Sequence, residues 1–581
     1  MTSTSPAMRL SLSLEAAGRP RVNVEGEVKR AVELARRRMA FAAVLFAFSF
    51  IVLAGRIAEI ALLGGADAPV GAREAAEHTV GRADIVDRNG ALIATNLPTA
   101  SLYADPRAVI DVDETARALA GALPGLDVDH LRRKLASPRS FVWLERGLAP
   151  AQQAGVHALG LPGIAFVDEE RRVYPQGSLL AHVLGYTDID NQGIAGVEKT
   201  LDETLRRQAV DGKGPLALSL DVCAQAILRE ELARSVETFR ALGATGLILD
   251  PTNGEVLALA SLPDFDPNQP VSEATDEQRF NRATLGVYEM GSIFKVFTTA
   301  MALDYGVVGL ADGFDATSPI RVARYTINDT HPKARWLSVP EVFIYSSNIG
   351  SAKMGAAVGA ERQRAFLDRV GLLDPLTLEL PEVGQPMEPG TWGELTTMTV
   401  AFGHGVAVTP IQTAAAFAAL VNGGTLIHPT LLKRAPGPVP GKRVVDKTTS
   451  DVMRALLRLV VVDGTGKGAN VPGYSVGGKT GTAEKASARG YRRDALLSSF
   501  IAAFPMDAPR FVVLVTLDEP KGTEETFGYA TGGWTAAPTV RRIIERLAPL
   551  YGLAPVAHEP IEDEMAVTFG GTSTLASLSA P

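Results

Sequence analysis

"YEMGSIFKVFT", residues 288–298, sets a serine behind a glycine and a lysine three residues further on, inside an apolar run. A serine at the head of an apolar helix is a good N-cap, and that role suffices for most serines so placed. Lys295 asks for more, because it alone among the 14 lysines has a serine three positions earlier. Three residues along a helix bring Ser292 and Lys295 onto one face, within hydrogen-bond reach. Ile293, Phe294, Val296 and Phe297 flank the lysine. Burial among such side chains lowers an amine's pKa and favours the neutral form that a base requires. The pair suggests a nucleophile with its base.

Two other clusters bear on that reading. "YSSNIG" (345–350) holds Ser346, Ser347 and Asn348. Alone it carries little weight, since turns are rich in Ser and Asn. "VGGKTGTAEK" (476–485) holds Lys479, Thr480, Gly481 and Thr482. Here a rival arises, because "GYSVGGKT" (473–480) also fits the G-x-x-x-x-G-K-[ST] phosphate loop. "FVVLVTLDE" further on looks like the strand whose Asp would hold magnesium. A phosphate loop needs a strand before it and a helix after it. "GKGANVP" precedes and "AEKASARGYRR" follows, and neither is an apolar strand or an amphipathic helix. The nucleotide reading is set aside.

Bulk properties bound the rest. A chain of 581 residues has room for two or three domains with sizeable cores. With 46% hydrophobic and 21% charged residues it is globular in composition. A net charge of −8 gives no reason to expect nucleic-acid binding. The single cysteine, Cys223, excludes a disulfide framework and a cysteine-based zinc cluster. The eight histidines show no metal-ligand spacing, so neither a metal nor a cofactor is expected.

The N-terminus points to a membrane. Met39–Gly55 is a run of 17 uncharged, mostly apolar residues, and apolar character resumes from Ile57 to Leu63. About 20 such residues span a bilayer as a helix. Arg56 and Glu59 lie near the far end, where they could snorkel to the interface. Residues 1–38 carry eight Lys or Arg against four Asp or Glu, with "RRR" at 36–38. That bias places the N-terminus in the cytoplasm and the remainder outside. The charged leader is long for a signal peptide and no small-x-small cleavage site closes the run, so an uncleaved anchor is expected over a signal peptide or a core helix.

Along the chain, residues 64–80 read as a linker. "GRADIVDRNGALIATNL" (81–97) holds two β-prone runs around an Asn-Gly turn signal. Helix-like stretches follow at 113–122 and 150–159, so 75–210 reads as an α+β domain without chemistry of its own. "PLALSLDVCAQAILREELARSVE" begins a second domain as a strand running into a helix. "ATGLILDPTNGEVLALAS" (244–261) reads as a hairpin around Asn253-Gly254, and "LLSSFIAAFP" with "RFVVLVTLDEP" as another. A mostly antiparallel sheet with helices between its hairpins is expected. The small, polar tail from about 556 reads as disordered.

Taken together, the three motifs resemble the active site of the penicillin-binding proteins and serine β-lactamases. Their order suits that family, with 54 residues from Ser292 to Ser346 and 133 from there to Lys479. "DRNGALIATN", "LPGIAFVDEERRVYPQGSLLAHVLGYTD", "GIAGVEKTLDETL", "DPTNGEVLALAS", "FGHGVAVTPIQTAAAFAALVNGG" and "GGWTAAPTVRRI" look like landmarks of the class B penicillin-binding proteins. "GYTDIDNQGIAGVE" and the modest chain length are most similar to the division-specific, FtsI type. Met290 and His404 depart from the family pattern, standing where a proline and a tyrosine are usual.

The resemblance implies an α+β chain with the penicillin-binding-protein transpeptidase fold. That fold is an antiparallel sheet packed with helices plus an all-helical subdomain, after an α+β pedestal and one transmembrane helix. The expected layout is a cytoplasmic tail (1–38), an anchor (39–63), a dimerisation-type pedestal (75–210), a transpeptidase domain (211–552) and a disordered tail (553–581). The implied activity is serine D-Ala-D-Ala transpeptidation of peptidoglycan stem peptides, with β-lactams as covalent inhibitors. Ser292 is the implied nucleophile, Lys295 its base, Ser346 a proton relay and Lys479 a source of positive potential. Asn348 would hold the substrate amide. Thr480, Gly481 and Thr482 would face its carboxylate, with the N–H groups of Ser292 and Thr482 as oxyanion hole. The polytopic glycosyltransferase FtsW and other divisome membrane proteins are the implied partners, at the septum of the inner membrane with the catalytic part periplasmic. An elongation-specific transpeptidase is the nearest alternative; a β-lactam sensor, a non-catalytic scaffold and a β-lactamase are more distant. A sensor should carry a cytoplasmic output domain, a scaffold has no need of all three motifs, and a β-lactamase hardly needs residues 75–210.

Overall fold

The computed structural model describes residues 10–12, 22–24, 27–63, 81–269, 271–322, 325–487 and 490–556. The expected linker at 64–80, much of the expected cytoplasmic tail and the expected disordered tail from residue 557 on lie outside the described residues. Helix α1 runs from Glu27 to Leu63, 37 residues in all. At 1.5 Å per residue it is about 55 Å long, more than a hydrocarbon core requires. Phe41, Phe46 and Ile51 stand exposed on it. Among the described residues it is the one helix long and apolar enough to cross a membrane, and it fits a single-pass anchor.

The chain divides into two compact units, one of residues up to 78 with 100–168, the other of residues 79–99 with 169 onward. In the first, residues 100–104 pair with Val142–Leu148. Helices Val112–Ala122 and Val128–Leu135, each capped by an Asp side chain, contribute Ala116, Leu119 and Leu131 to the core beside this pairing.

The second unit is built on a five-stranded sheet. Its strands are β1 (Gly243–Leu249), β2 (Val256–Leu262), β3 (Gly477–Ser487), β4 (Gly490–Phe504) and β5 (Phe511–Asp518). The order is β3-β4-β5-β1-β2, antiparallel throughout. Both expected hairpins are present. The first closes through a loop in which Asp250 and Glu255 face each other and Gly254 N donates to Asp250 O.

Every residue of β1 and β2 is buried, as in a sheet covered on both faces, where strands read as continuous apolar runs. Alternate side chains enter different cores. Leu247, Leu249, Val512 and Leu514 join the core of the helical body. Ile248, Val513, Val515 and Phe500 join the one under α2 (Val222–Phe239) and α7 (Ala536–Leu550).

Between the two hairpins of sequence lies the helical part: α3 (Phe294–Asp304), α4 (Asn348–Val358), α5 (Pro410–Val421) and α6 (Lys447–Val462). A helix apolar all round belongs in an interior. Accordingly all twelve residues of α5 are buried, as are the first nine of α3, Lys295 among them.

Strand β3 differs from expectation. "AEKASARGYRR" does not read as a strand, yet residues through Ser487 pair with β4. As an edge strand, β3 needs no apolar run; it is bonded on one side and carries small and polar residues. The phosphate-loop reading fails here too, since Lys479 and Thr480 lie within β3 and not between a strand and a helix.

Candidate active site

Met290 ends a loop, and Gly291–Ile293 make one 3-10 turn that feeds α3. Gly291 has φ of +54°, a conformation that favours glycine. A Cβ there would lie 2.5 Å from the carbonyl oxygen of Thr482 in β3. From the other side, a Cβ on Gly403 would fall 1.9 Å from Gly291 O. Two backbones thus close on the turn that carries Ser292. Ser292 itself is half-buried and does not cap α3, whose N-cap residue makes no side-chain bond. Its Oγ instead takes Lys295 Nζ at 3.1 Å. The local i, i+3 inference holds in the folded chain.

Lys295 is 1% exposed. Its Nζ donates to Ser346 O at 2.5 Å and to Asn348 Oδ1 at 2.7 Å, and lies 3.1 Å from Ser346 Oγ. Burial pushes its pKa well below the ordinary lysine value. The charge of Lys479 pushes the same way, and Asp329 pulls weakly against them. Burial thus favours the neutral amine that a base requires.

Ser346 lies between two lysines. Lys479 Nζ donates to its Oγ at 2.9 Å. Ser346 has φ of +57°, a strained backbone for a residue with a Cβ, and such strain clusters at functional sites. Lys479 has no exposed surface, and burial lowers its pKa to about 7. Next along β3, Thr480 Oγ1 lies 2.9 Å from Thr465 Oγ1. Gly481 faces the turn that carries Ser292, where a Cβ would be 2.7 Å from Met290 O. Thr482 Oγ1 accepts from Gly532 N at 3.1 Å.

The structure therefore gathers Ser292, Lys295, Ser346 and Asn348 into one hydrogen-bonded group with Lys479, and sets Thr480, Gly481 and Thr482 beside it. Sequence reasoning missed Thr465, Gly532, Asn328 and Asp329. Thr465 and Gly532 sit in Gly-rich stretches, and "IND" (327–329) reads as an ordinary turn. None carries a local signal. Of the two departures from the family pattern, Met290 is buried and precedes the Gly291–Ile293 turn. His404 packs its ring on Phe402 and Tyr491, at 5.3 and 5.6 Å between centroids. Its pKa is lowered by burial, and its Nδ1 has no hydrogen-bond partner among the described residues.

Residues 244–545 match the penicillin binding protein transpeptidase domain, and residues 77–212 the penicillin-binding protein dimerisation domain. The chain belongs to the penicillin-binding protein transpeptidase family. Within it, the chain is a class B protein of the FtsI type. It is 44% identical over 483 residues to a probable peptidoglycan D,D-transpeptidase FtsI of Caulobacter vibrioides, covering 81% of this chain and 82% of that protein. To the peptidoglycan D,D-transpeptidase FtsI of Escherichia coli K12 it is 30% identical over 509 residues, 82% of this chain and 84% of that one. Among solved structures, penicillin binding protein 3 of Mycobacterium tuberculosis complexed with aztreonam shares the fold. Its TM-score is 0.64 at 23% identity, over 83% of this chain and 99% of that one.

Proposed function

We infer that the protein is a peptidoglycan D,D-transpeptidase of the division-specific type, which cross-links stem peptides of the septal wall through a serine acyl-enzyme and is inhibited by β-lactams. The observation that carries this reading is the buried amine of Lys295, 3.1 Å from Ser292 Oγ, with Ser346 Oγ shared between Lys295 and Lys479.

Ser292 Oγ attacks the carbonyl carbon between two D-alanines, and its proton passes to Lys295. The backbone N–H groups of Ser292 and Thr482 receive the oxyanion, a contribution of roughly 3 kcal/mol per donor in acyl-transfer enzymes. The positive end of α3 faces the same oxygen. Collapse breaks the C–N bond, Ser346 delivers a proton to the leaving amine, and D-alanine departs. An amine from a neighbouring stem peptide then attacks the ester, gives up its proton along the same path and frees Ser292. Dividing one hard step into two easier ones is the gain of the covalent route. Asn348 holds the substrate amide. Thr480 and Thr482 bind its terminal carboxylate beside Gly481, under the positive potential of Lys479.

The pedestal (75–210) and transpeptidase domain (211–552) stand on the outer face of the membrane, with the basic tail (1–38) in the cytoplasm. FtsW and other divisome membrane proteins are the partners, met through the membrane helix and residues 75–210. The relatives named FtsI support the septal role. A fluorescent penicillin should label the wild type through Ser292 and leave Ser292→Ala dark. Depletion should give filaments or branched cells with blocked septa. Loss of rod shape with continued division would favour the elongation role instead.

A further inference from the structure

One acceptor around Lys295 is held in place from outside the three motifs. A neutral amine has two N–H bonds and one lone pair. Ser346 O and Asn348 Oδ1, at 2.5 and 2.7 Å from Nζ, can only accept, so they take both N–H bonds. The lone pair remains for a hydroxyl, with Ser292 Oγ and Ser346 Oγ each 3.1 Å away. This holds only while Asn348 turns its oxygen toward the lysine. A flipped amide would present NH2 to the amine, occupy the lone pair and leave Ser292 without a base.

The backbone carbonyl of Asn328 prevents that flip. It accepts from Asn348 Nδ2 at 2.9 Å, and a carbonyl cannot donate. The next residue holds this carbonyl in place. Asp329 accepts from Ser347 Oγ through Oδ2 at 2.8 Å and from Ile349 N through Oδ1 at 2.9 Å. These are one bond on each side of Asn348. On the other flank of the segment, Ile327 is buried with Ala352 and Met398.

We propose that Asp329 is a positioning residue for acylation: by clamping Ser347 and Ile349 it keeps the Asn328 carbonyl on the Asn348 amide, and so aims the lone pair of Lys295 at Ser292. The proposal rests on the reading of Lys295 as the base. Its carboxylate also faces the amine electrostatically, raising the pKa of Lys295 against burial and against Lys479. His404, whose pKa burial lowers, also feels the charges of Glu289, Glu484 and Lys295.

The full chain and two variants, Asp329→Ala and Asp329→Asn, separate geometry from charge. Acylation by a penicillin is followed by stopped flow across pH, giving the acylation rate constant and the non-covalent Kd, with Tm measured alongside. In Asp329→Ala the rate constant should fall about 100-fold, the scale of a small misalignment of reacting groups, at nearly unchanged Kd. Asp329→Asn keeps an acceptor for Ile349 N and a donor for Ser347, and should recover most of the rate. Its acid limb should move to lower pH, because without the carboxylate Lys295 sheds its proton more readily. Wild-type rate and limb in both folded variants would overturn the proposal. So would a loss confined to burst amplitude at unchanged rate constant, the mark of partial unfolding. Should Asp329→Ala not fold, the limb of Asp329→Asn decides. Absence of Ser292-dependent acylation in the wild type would overturn the underlying reading, and this proposal with it.

Discussion

Lys479 donates from Nζ to the Oγ of Ser346 across 2.9 Å, at a place where the lysine has no exposed surface. Burial alone brings its pKa to about 7. The amine proposed to present a positive charge to a carboxylate thus titrates close to the working pH.

The pH profile of penicillin acylation should therefore have two causes. On the acid side the rate rises as Lys295, whose pKa is lowered by burial and by Lys479, loses its proton. Above about pH 7 Lys479 becomes neutral and ligands carrying a carboxylate should bind more weakly, by up to tenfold per pH unit in Kd, while the acylation constant holds level. Stopped-flow measurements at several pH values separate the two terms. A Kd unchanged from about pH 6 to about pH 9 would remove Lys479 as the source of positive potential.

Charge and basicity can be separated at Lys295. Lys295→Arg retains a cation, yet arginine does not deprotonate in a protein. Labelling by a fluorescent penicillin should fall by roughly 100- to 10,000-fold, the contribution of a general base, to the level of Ser292→Ala. Thermal melting controls for steric misfit in the closed space around Nζ. Substantial labelling of a folded arginine variant would end the base assignment.

The backbone of Ser346 makes a prediction about stability. With φ of +57°, an L side chain there costs about 1 kcal/mol that glycine does not pay. Ser346→Gly and Ser346→Ala lose the same hydroxyl, and both should acylate slowly. In denaturant melts the glycine variant should be the more stable, by about 1 kcal/mol. Equal stability would mean that the strain is relieved in solution.

Topology can be read by proteolysis. Protease added to spheroplasts should degrade the chain and spare about the first 60 residues, as the basic flank before the span requires. Protection of the C-terminal domain would contradict the orientation.

Much of this was legible in the residues. The Ser292–Lys295 pair is one helical turn long, so local geometry alone brings its atoms to 3.1 Å. The hairpins at 243–262 and 490–518 announce themselves by paired apolar runs joined by turn residues, and the anchor by uninterrupted apolar length. Each is a property of neighbours in the chain, set by periodicity and solvent preference.

The remainder depended on register between distant segments. β3 carries no apolar pattern because it is an edge strand, and only its pairing with β4 carries Lys479 inward to Ser346. The positive φ of Ser346 and the approach of Gly403 to Gly291 are invisible in residue types, since both follow from how packed elements meet. Asn328 and Asp329 belong to an unremarkable turn until the fold lays it across Asn348. Residue types state which groups are available for chemistry. The lone pair of Lys295 is aimed by bonds spanning tens of residues, and those exist once the core has closed and the strands have taken their register.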